Sequence, residues 1–236
     1  SSHPEVGVCG SSIELLRGRL RHFVRFPESH DEILASLSVL SRSICHPAVM
    51  IRHSVLAQLG LRYSEKHAHA EDLLLWHRLI RHTQFYNIQA PLLAYRLHDR
   101  QVSAQYSHTQ LLETRWLLAD NLHYYFPSIE DRVGSALLNL VAPERKDRRG
   151  DAETLAAHQL LSLMVLTNSN DNVVPKSIFE TVITSKFFEE SVKQYLGFSS
   201  TVILWQRAFL HRPALFYDVA RRGFFVLASY LTNWRK

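Results

Sequence analysis

The chain of 236 residues is 46% hydrophobic and 21% charged, the composition of a folded globular protein with one large domain or a domain and a sizeable appendage. Two cysteines, Cys9 and Cys45, exclude a disulfide scaffold and offer no close Cys/His pairs for structural zinc, so a reducing compartment is the default. Net charge is +5, and the whole excess lies in residues 201–236, where Arg207, Arg212, Arg221, Arg222, Arg235 and Lys236 face Asp218 alone; this argues against a domain-wide nucleic-acid surface and for local attraction to something acidic.

Residues 5–16 combine Val, Ile and Leu with Gly7, Gly10 and two serines, the pattern of a strand whose backbone is closely approached. Residues 17–28 read as irregular and stop at Pro27. A helix is expected from Ser29 or His30 to about residue 40, with Asp31 and Glu32 in its first turn and Ile33, Leu34, Leu37 and Leu40 on one face. A short strand follows Pro47, and a short helix over 53–59 ends at Gly60. Residues 61–70 form a loop with His67 and His69. After the next helix, two extended runs over 85–89 and 92–97 are separated by Pro91. Strands and helices thus alternate to about residue 105, which is α/β character. Helices are then expected over 109–125, 129–140, 151–167, 175–196 and 202–234, with a charged linker at 143–150. The domains read as 1–105 (α/β), 106–142 (helical continuation), 143–150 (linker) and 151–236 (helical).

The stretch His69-Ala70-Glu71-Asp72-Leu73-Leu74-Leu75-Trp76-His77-Arg78-Leu79-Ile80 carries the candidate chemistry. From Leu73 onward the apolar residues recur at helical spacing. On a wheel, Leu73, Leu75, Trp76, Leu79 and Ile80 span one arc with Asp72 in its middle, whereas His77, Arg78 and Arg81 project elsewhere. A carboxylate aimed toward the buried side is costly unless it is paired or used. Glu71 and Asp72 read either as first-turn acids complementing the helix macrodipole, with Asp72 as cap, or as a base on the wall of a cleft.

In order, His3-Pro4-Glu5-Val6-Gly7-Val8 with Gly10-Ser11, His46-Pro47-Ala48-Val49-Met50-Ile51-Arg52 with Val55 and Gly60, Ala70-Glu71-Asp72-Leu73 with Leu75-Trp76 and Arg78-Leu79, and Pro91-Leu92-Leu93 with Tyr95-Arg96, His98 and Ser103 resemble the C-terminal part of family 2 glycosyltransferases, inverting enzymes of GT-A fold. The resemblance covers about residues 3–105. It implies a partial GT-A-like, Rossmann-like half-domain ahead of a mainly helical region. It also implies transfer of a sugar from a nucleotide-sugar donor to a polysaccharide or lipid-linked glycan. Within it, Asp72 takes the place of the general base, with Glu71 beside it for the acceptor. His98 takes the place of a residue near the diphosphate and its Mn²⁺ or Mg²⁺, and Arg96 could hold phosphate. His67 and His69 border the base and are acceptor-contact candidates. The family's Asp-x-Asp metal motif and nucleotide-binding units are absent from these 236 residues. The expectation is an acceptor-side half that does not turn over alone and associates with a donor-side half or with its own copies.

Residues 214–234, if helical, place Phe216, Val219, Ala220, Leu227, Tyr230, Leu231 and Trp234 on one face and Asp218, Arg221 and Arg222 opposite. The apolar run over 223–231 is too short to span a bilayer, which needs about 20 residues. A basic amphipathic helix suits either the cytoplasmic face of an anionic membrane or packing on the helical region. The competing classes are a non-catalytic interaction module and a membrane-surface scaffold; no nucleic-acid partner is expected.

Overall fold

In the computed structural model the described backbone covers residues 2–41, 43–64, 67, 70–98, 107–141 and 151–193. The structure is mixed α/β, about 52% helix and 21% strand. It divides into two units, Ser1–Pro127 and Ser128–Lys236, at a boundary inside the stretch expected as the helical continuation.

The first unit is built on β1 (Val6–Arg17). One edge of β1 pairs parallel with β4 (Gln84–Arg96). The other edge is shared by two antiparallel partners, β3 (Met50–Ile51) at Val8 and Cys9 and β2 (Leu20–Val24) over Ile13 to Arg17. The small residues expected to allow close approach do so at Gly10. A Cβ there would collide with the Asn87 side chain and lie 2.9 Å from Ile44 Cγ1. Asn87 is fully buried, and its Nδ2 donates to the carbonyls of Pro27 (2.6 Å) and Ser43 (2.9 Å), fixing β4 to the segments that flank the first helix.

Two expectations about strands are corrected. Residues 17–28 are not irregular: Gly18, at φ 59°, and Arg19 form a two-residue turn that returns the chain as β2, with Arg17 opposite Leu20. A left-handed first turn position suits glycine and a tight hairpin. The runs on either side of Pro91 are one strand. Pro91 lies opposite Ser12 at a register shift, a place where its missing N–H costs no ladder bond.

Helix α1 (His30–Ser38) begins with a capping box. Ser29 accepts the Glu32 amide, while the Glu32 carboxylate accepts the amides of Ser29 (3.0 Å) and Glu28 (2.9 Å). After a 3-10 turn at His46–Ala48 comes α2 (His53–Leu59), closed by Gly60 at φ 62°. Helix α3 (Glu71–Leu79) starts two residues before the first apolar position of its pattern. Its residues Leu75, Trp76 and Leu79, with Ile80 just beyond its end, join Val8, Ile33, Leu37 and Phe85 in the main core, each side chain contributing about 1.5–3 kcal/mol on burial. Helix α4 (Ser107–Tyr125) packs on α1 and α3.

That packing overturns the wheel's assignment of His77 to the exposed side. His77 is fully buried, and its Nδ1 is 2.9 Å from the Tyr125 hydroxyl. Helix α3 is covered on two sides, by the sheet cluster and by α4, so its buried arc is wider than its apolar one.

The second unit contains α5 (Asp131–Val141), α6 (Asp151–Asp171) and α7 (Lys176–Lys193), packed pairwise through Leu137, Met164, Phe179, Ile183 and Phe187. Asp171 accepts the Ser128 amide, and the Asn168 amide group exchanges hydrogen bonds with the Val174 backbone to close the α6–α7 turn. The expected linker at 143–150 and tail helix at 202–234 lie outside the described residues. No helix among the described residues is long and apolar enough to cross a membrane.

Candidate functional site

The N-cap of α3 is Ala70, whose side chain cannot cap, so the first-turn amides look to the acids that follow. Glu71 and Asp72 are the first and second helical residues; Asp72 is therefore not the cap. Asp72 Oδ1 accepts the Leu73 amide at 2.7 Å and remains half-buried. Beside it, Glu71 Oε2 is buried and has no hydrogen-bond partner among the described residues. A buried carboxylate oxygen left unsatisfied costs stability, which sets it apart from ordinary first-turn acids.

Two other segments reach the same helix start. Cys45, at the head of the 3-10 turn, and Tyr63, in the loop before α3, both feel the Asp72 charge. The Cys45 thiol is pushed up to about 11 by burial and, secondarily, by Asp72, against the lowering effect of the Ala48 backbone. The Tyr63 hydroxyl is raised by burial, then by Asp72, then by Glu71. His46 bridges the two walls: its ring lies 5.7 Å from Tyr63, edge-on, and 5.9 Å from the buried Trp76. Tyr63 is half exposed, His46 exposed, and Glu71 and Asp72 half-buried, so this helix start is not sealed from solvent.

This arrangement can accept a proton from a hydroxyl at Asp72 and receive a hydrogen bond from a neutral donor at Glu71. It cannot use Cys45 as a nucleophile near neutrality, because a thiol held near 11 is almost wholly protonated. Cys45 and Cys9 are both free thiols.

The other predicted residues are distributed elsewhere. His67 faces α4: its Nδ1 is 2.9 Å from Glu113, and its ring stacks on Trp116 at 4.8 Å. His69 lies outside the described residues. Arg96 and His98 stand exposed at the end of β4, where Arg96 is in register with Leu16. The divalent ion implied by the resemblance finds no donor set here, since no three His, Cys, Asp or Glu side chains gather among the described residues. No step is assigned through a metal.

Sequence reading missed Tyr63, Cys45 and His46. Only His46 carried a signal, lying inside one of the motifs of the resemblance. The fold joins them, through the β3 and α2 excursion that carries the chain from Cys45 back to α3.

Comparisons with protein-family models, with curated proteins and with solved structures find no match to this chain.

Proposed function

We propose that the Glu71–Asp72 start of α3 is the acceptor-side catalytic centre of an inverting, nucleotide-sugar-dependent glycosyltransferase. The reading rests on the ordered resemblance to family 2 enzymes, and implies a GT-A-like α/β half for the sheet unit. The observation that carries it is the buried Glu71 oxygen, without a hydrogen-bond partner among the described residues, next to a half-buried Asp72 carboxylate whose charge reaches Tyr63 and Cys45.

The chemistry asks for one base. Asp72 takes the proton of an acceptor hydroxyl as that oxygen attacks the anomeric carbon. The new C–O bond forms as the bond to the nucleoside diphosphate breaks, with inversion at carbon. Glu71 accepts a second hydrogen bond from the acceptor and orients it. The charge that develops on the leaving diphosphate has to be met by cationic groups. Arg96 and His98 are the resembling candidates. The acceptor is a polysaccharide or lipid-linked glycan at the cytoplasmic face of a membrane.

The test is sugar-nucleotide transfer and hydrolysis over a donor panel, with Mn²⁺ or Mg²⁺, on this chain and on the product of its full native gene. Transfer abolished by Asp72→Asn with folding intact supports the reading. No transfer and no nucleotide binding in either form favours a non-catalytic interaction module.

A further inference from the structure

We propose that the end of the sheet formed by the β1–β2 hairpin and the C-terminal part of β4 is a docking surface for an anionic lipid bilayer. The inference is independent of the transferase reading.

Residues directly opposed across strands share a face. Leu16 lies between Arg21 of β2 and Arg96 of β4, and Glu14 lies between Phe23 and Ala94. One sheet face at this end therefore carries an Arg–Leu–Arg row next to a Phe–Glu–Ala row. Arg25 extends it, its guanidinium 5.4 Å from the Phe23 ring centre. At the tip, Arg17, Gly18 and Arg19 are exposed and Leu20 is 65% exposed; Leu92 of β4, equally exposed, stands farther back, four residues before Arg96. Between residues 13 and 25 the one acid is Glu14, and it is already bonded to Arg21 at 3.0 Å. The patch is therefore strongly cationic in a stretch of chain whose overall charge balances.

Aliphatic side chains exposed among arginines suit a bilayer interface. Leu20 can enter the acyl boundary while the guanidiniums of Arg17, Arg19 and Arg21 stay at headgroup phosphates. A single-stranded nucleic acid is the weaker fit. It needs aromatic platforms for its bases, and the patch has one aromatic ring, Phe23, with a guanidinium already beside it. Exposed apolar side chains on a rigid, hydrogen-bonded hairpin also limit the entropy lost on docking.

The experiment is co-sedimentation of the full chain with vesicles of phosphatidylcholine alone and of phosphatidylcholine with phosphatidylserine, at low and high salt. Binding is expected only to the anionic vesicles and is weakened by salt. The combined Arg17→Gln, Arg19→Gln and Arg25→Gln variant, which spares the Arg21–Glu14 pair, is expected to lower partitioning on the order of a hundredfold. Leu20→Ser should lower it several-fold with no change in net charge, and both variants should keep the parent far-UV spectrum. Unchanged partitioning in both folded variants overturns the proposal and assigns membrane attraction, if any, to residues 202–236. Vesicle indifference together with hairpin-dependent binding of a single-stranded RNA also overturns it.

Discussion

Helix α3 and the turn that follows it carry two polar clusters, and they are built in opposite ways. At the start of α3, Glu71 and Asp72 are half-buried, and one Glu71 carboxylate oxygen has no hydrogen-bond partner among the described residues. Farther along, His77 and Arg81 are packed against α4: His77 meets the Tyr125 hydroxyl, and Arg81 bonds Asn121 and lies 3.5 Å over the Tyr124 ring. The second cluster also holds orphaned nitrogens, His77 Nε2 and Arg81 Nε. Burial and missing partners alone therefore do not make a site. What separates the two is chemistry: the helix start pairs two carboxylates, whereas in the second cluster His77 is fully buried and Arg81 is already bonded to Asn121 and stacked on Tyr124.

The largest contrast expected between them is in catalysis. Asp72→Asn should lower transfer by roughly 10²–10⁴-fold, the usual worth of a general base, while shifting stability by no more than about 0.5 kcal/mol. Tyr125→Phe, in the second cluster, should do the reverse, costing about 1 kcal/mol of stability with little change in rate. Steady-state rates and urea midpoints on the same preparations check both halves. A loss of activity in Tyr125→Phe equal to that of Asp72→Asn would erase the distinction.

The next effect belongs to acid. Burial, reinforced by the Arg81 charge, pulls the His77 imidazole down to about 3 from an ordinary value near 6.5. The unfolded chain therefore binds a proton that the folded one refuses. The stability held above pH 6.5 is lost as pH falls from there toward 3, by a few kcal/mol in all. Urea midpoints between pH 7 and 4 should fall with decreasing pH, and His77→Leu should flatten this dependence by up to one proton. An unchanged slope in the variant would place the acid sensitivity in other groups.

Much of the scaffold around these clusters was legible. The helix start at Ser29 or His30 with Glu32 in its first turn, Gly60 as a stop and the Leu75, Trp76, Leu79 and Ile80 stripe are local signals, set by neighbours within a turn or two. What escaped was set by tertiary contact. His77 reads as polar because the wheel registers only apolar spacing, and its partner is 48 residues away. Pro91 looked like a break because sequence does not show that β1 tolerates a register shift opposite it. The hairpin was readable in principle, since Leu15-Leu16-Arg17-Gly18-Arg19-Leu20 sets two apolar runs around a Gly-led pair. Its arginines were lost in a charge average over the first 200 residues. The candidate site was half legible: the acids could be singled out in the sequence, and the approach of Tyr63 and Cys45 to them could not.

That convergence has a test requiring no substrate. The Asp72 charge is one of the forces holding the Cys45 thiol high, so Asp72→Asn should lower it and speed alkylation of Cys45 a few-fold at fixed pH. Peptide-resolved mass spectrometry can follow Cys45 with Cys9 as an internal reference; the Cys9 thiol is raised by burial alone. Equal acceleration at both cysteines would indicate general loosening and would remove the support for a Cys45–Asp72 pairing.

The smallest effect is the one that best separates a site from an ordinary helix start. A buried carboxylate oxygen without a partner is kept at a cost, and Glu71→Gln removes charge there while nearly conserving shape. The variant should be more stable by about 0.5–1 kcal/mol, since an amide is cheaper to bury than an unsatisfied carboxylate. If the oxygen serves an acceptor hydroxyl, the same change should raise the acceptor KM several-fold and leave the donor KM alone. Stability and function would then move in opposite directions at one residue, which a purely structural first-turn acid would not produce. A Glu71→Gln variant that is less stable, with unaltered kinetics, would return Glu71 to the role of helix-start acid and leave Asp72 to carry the site alone.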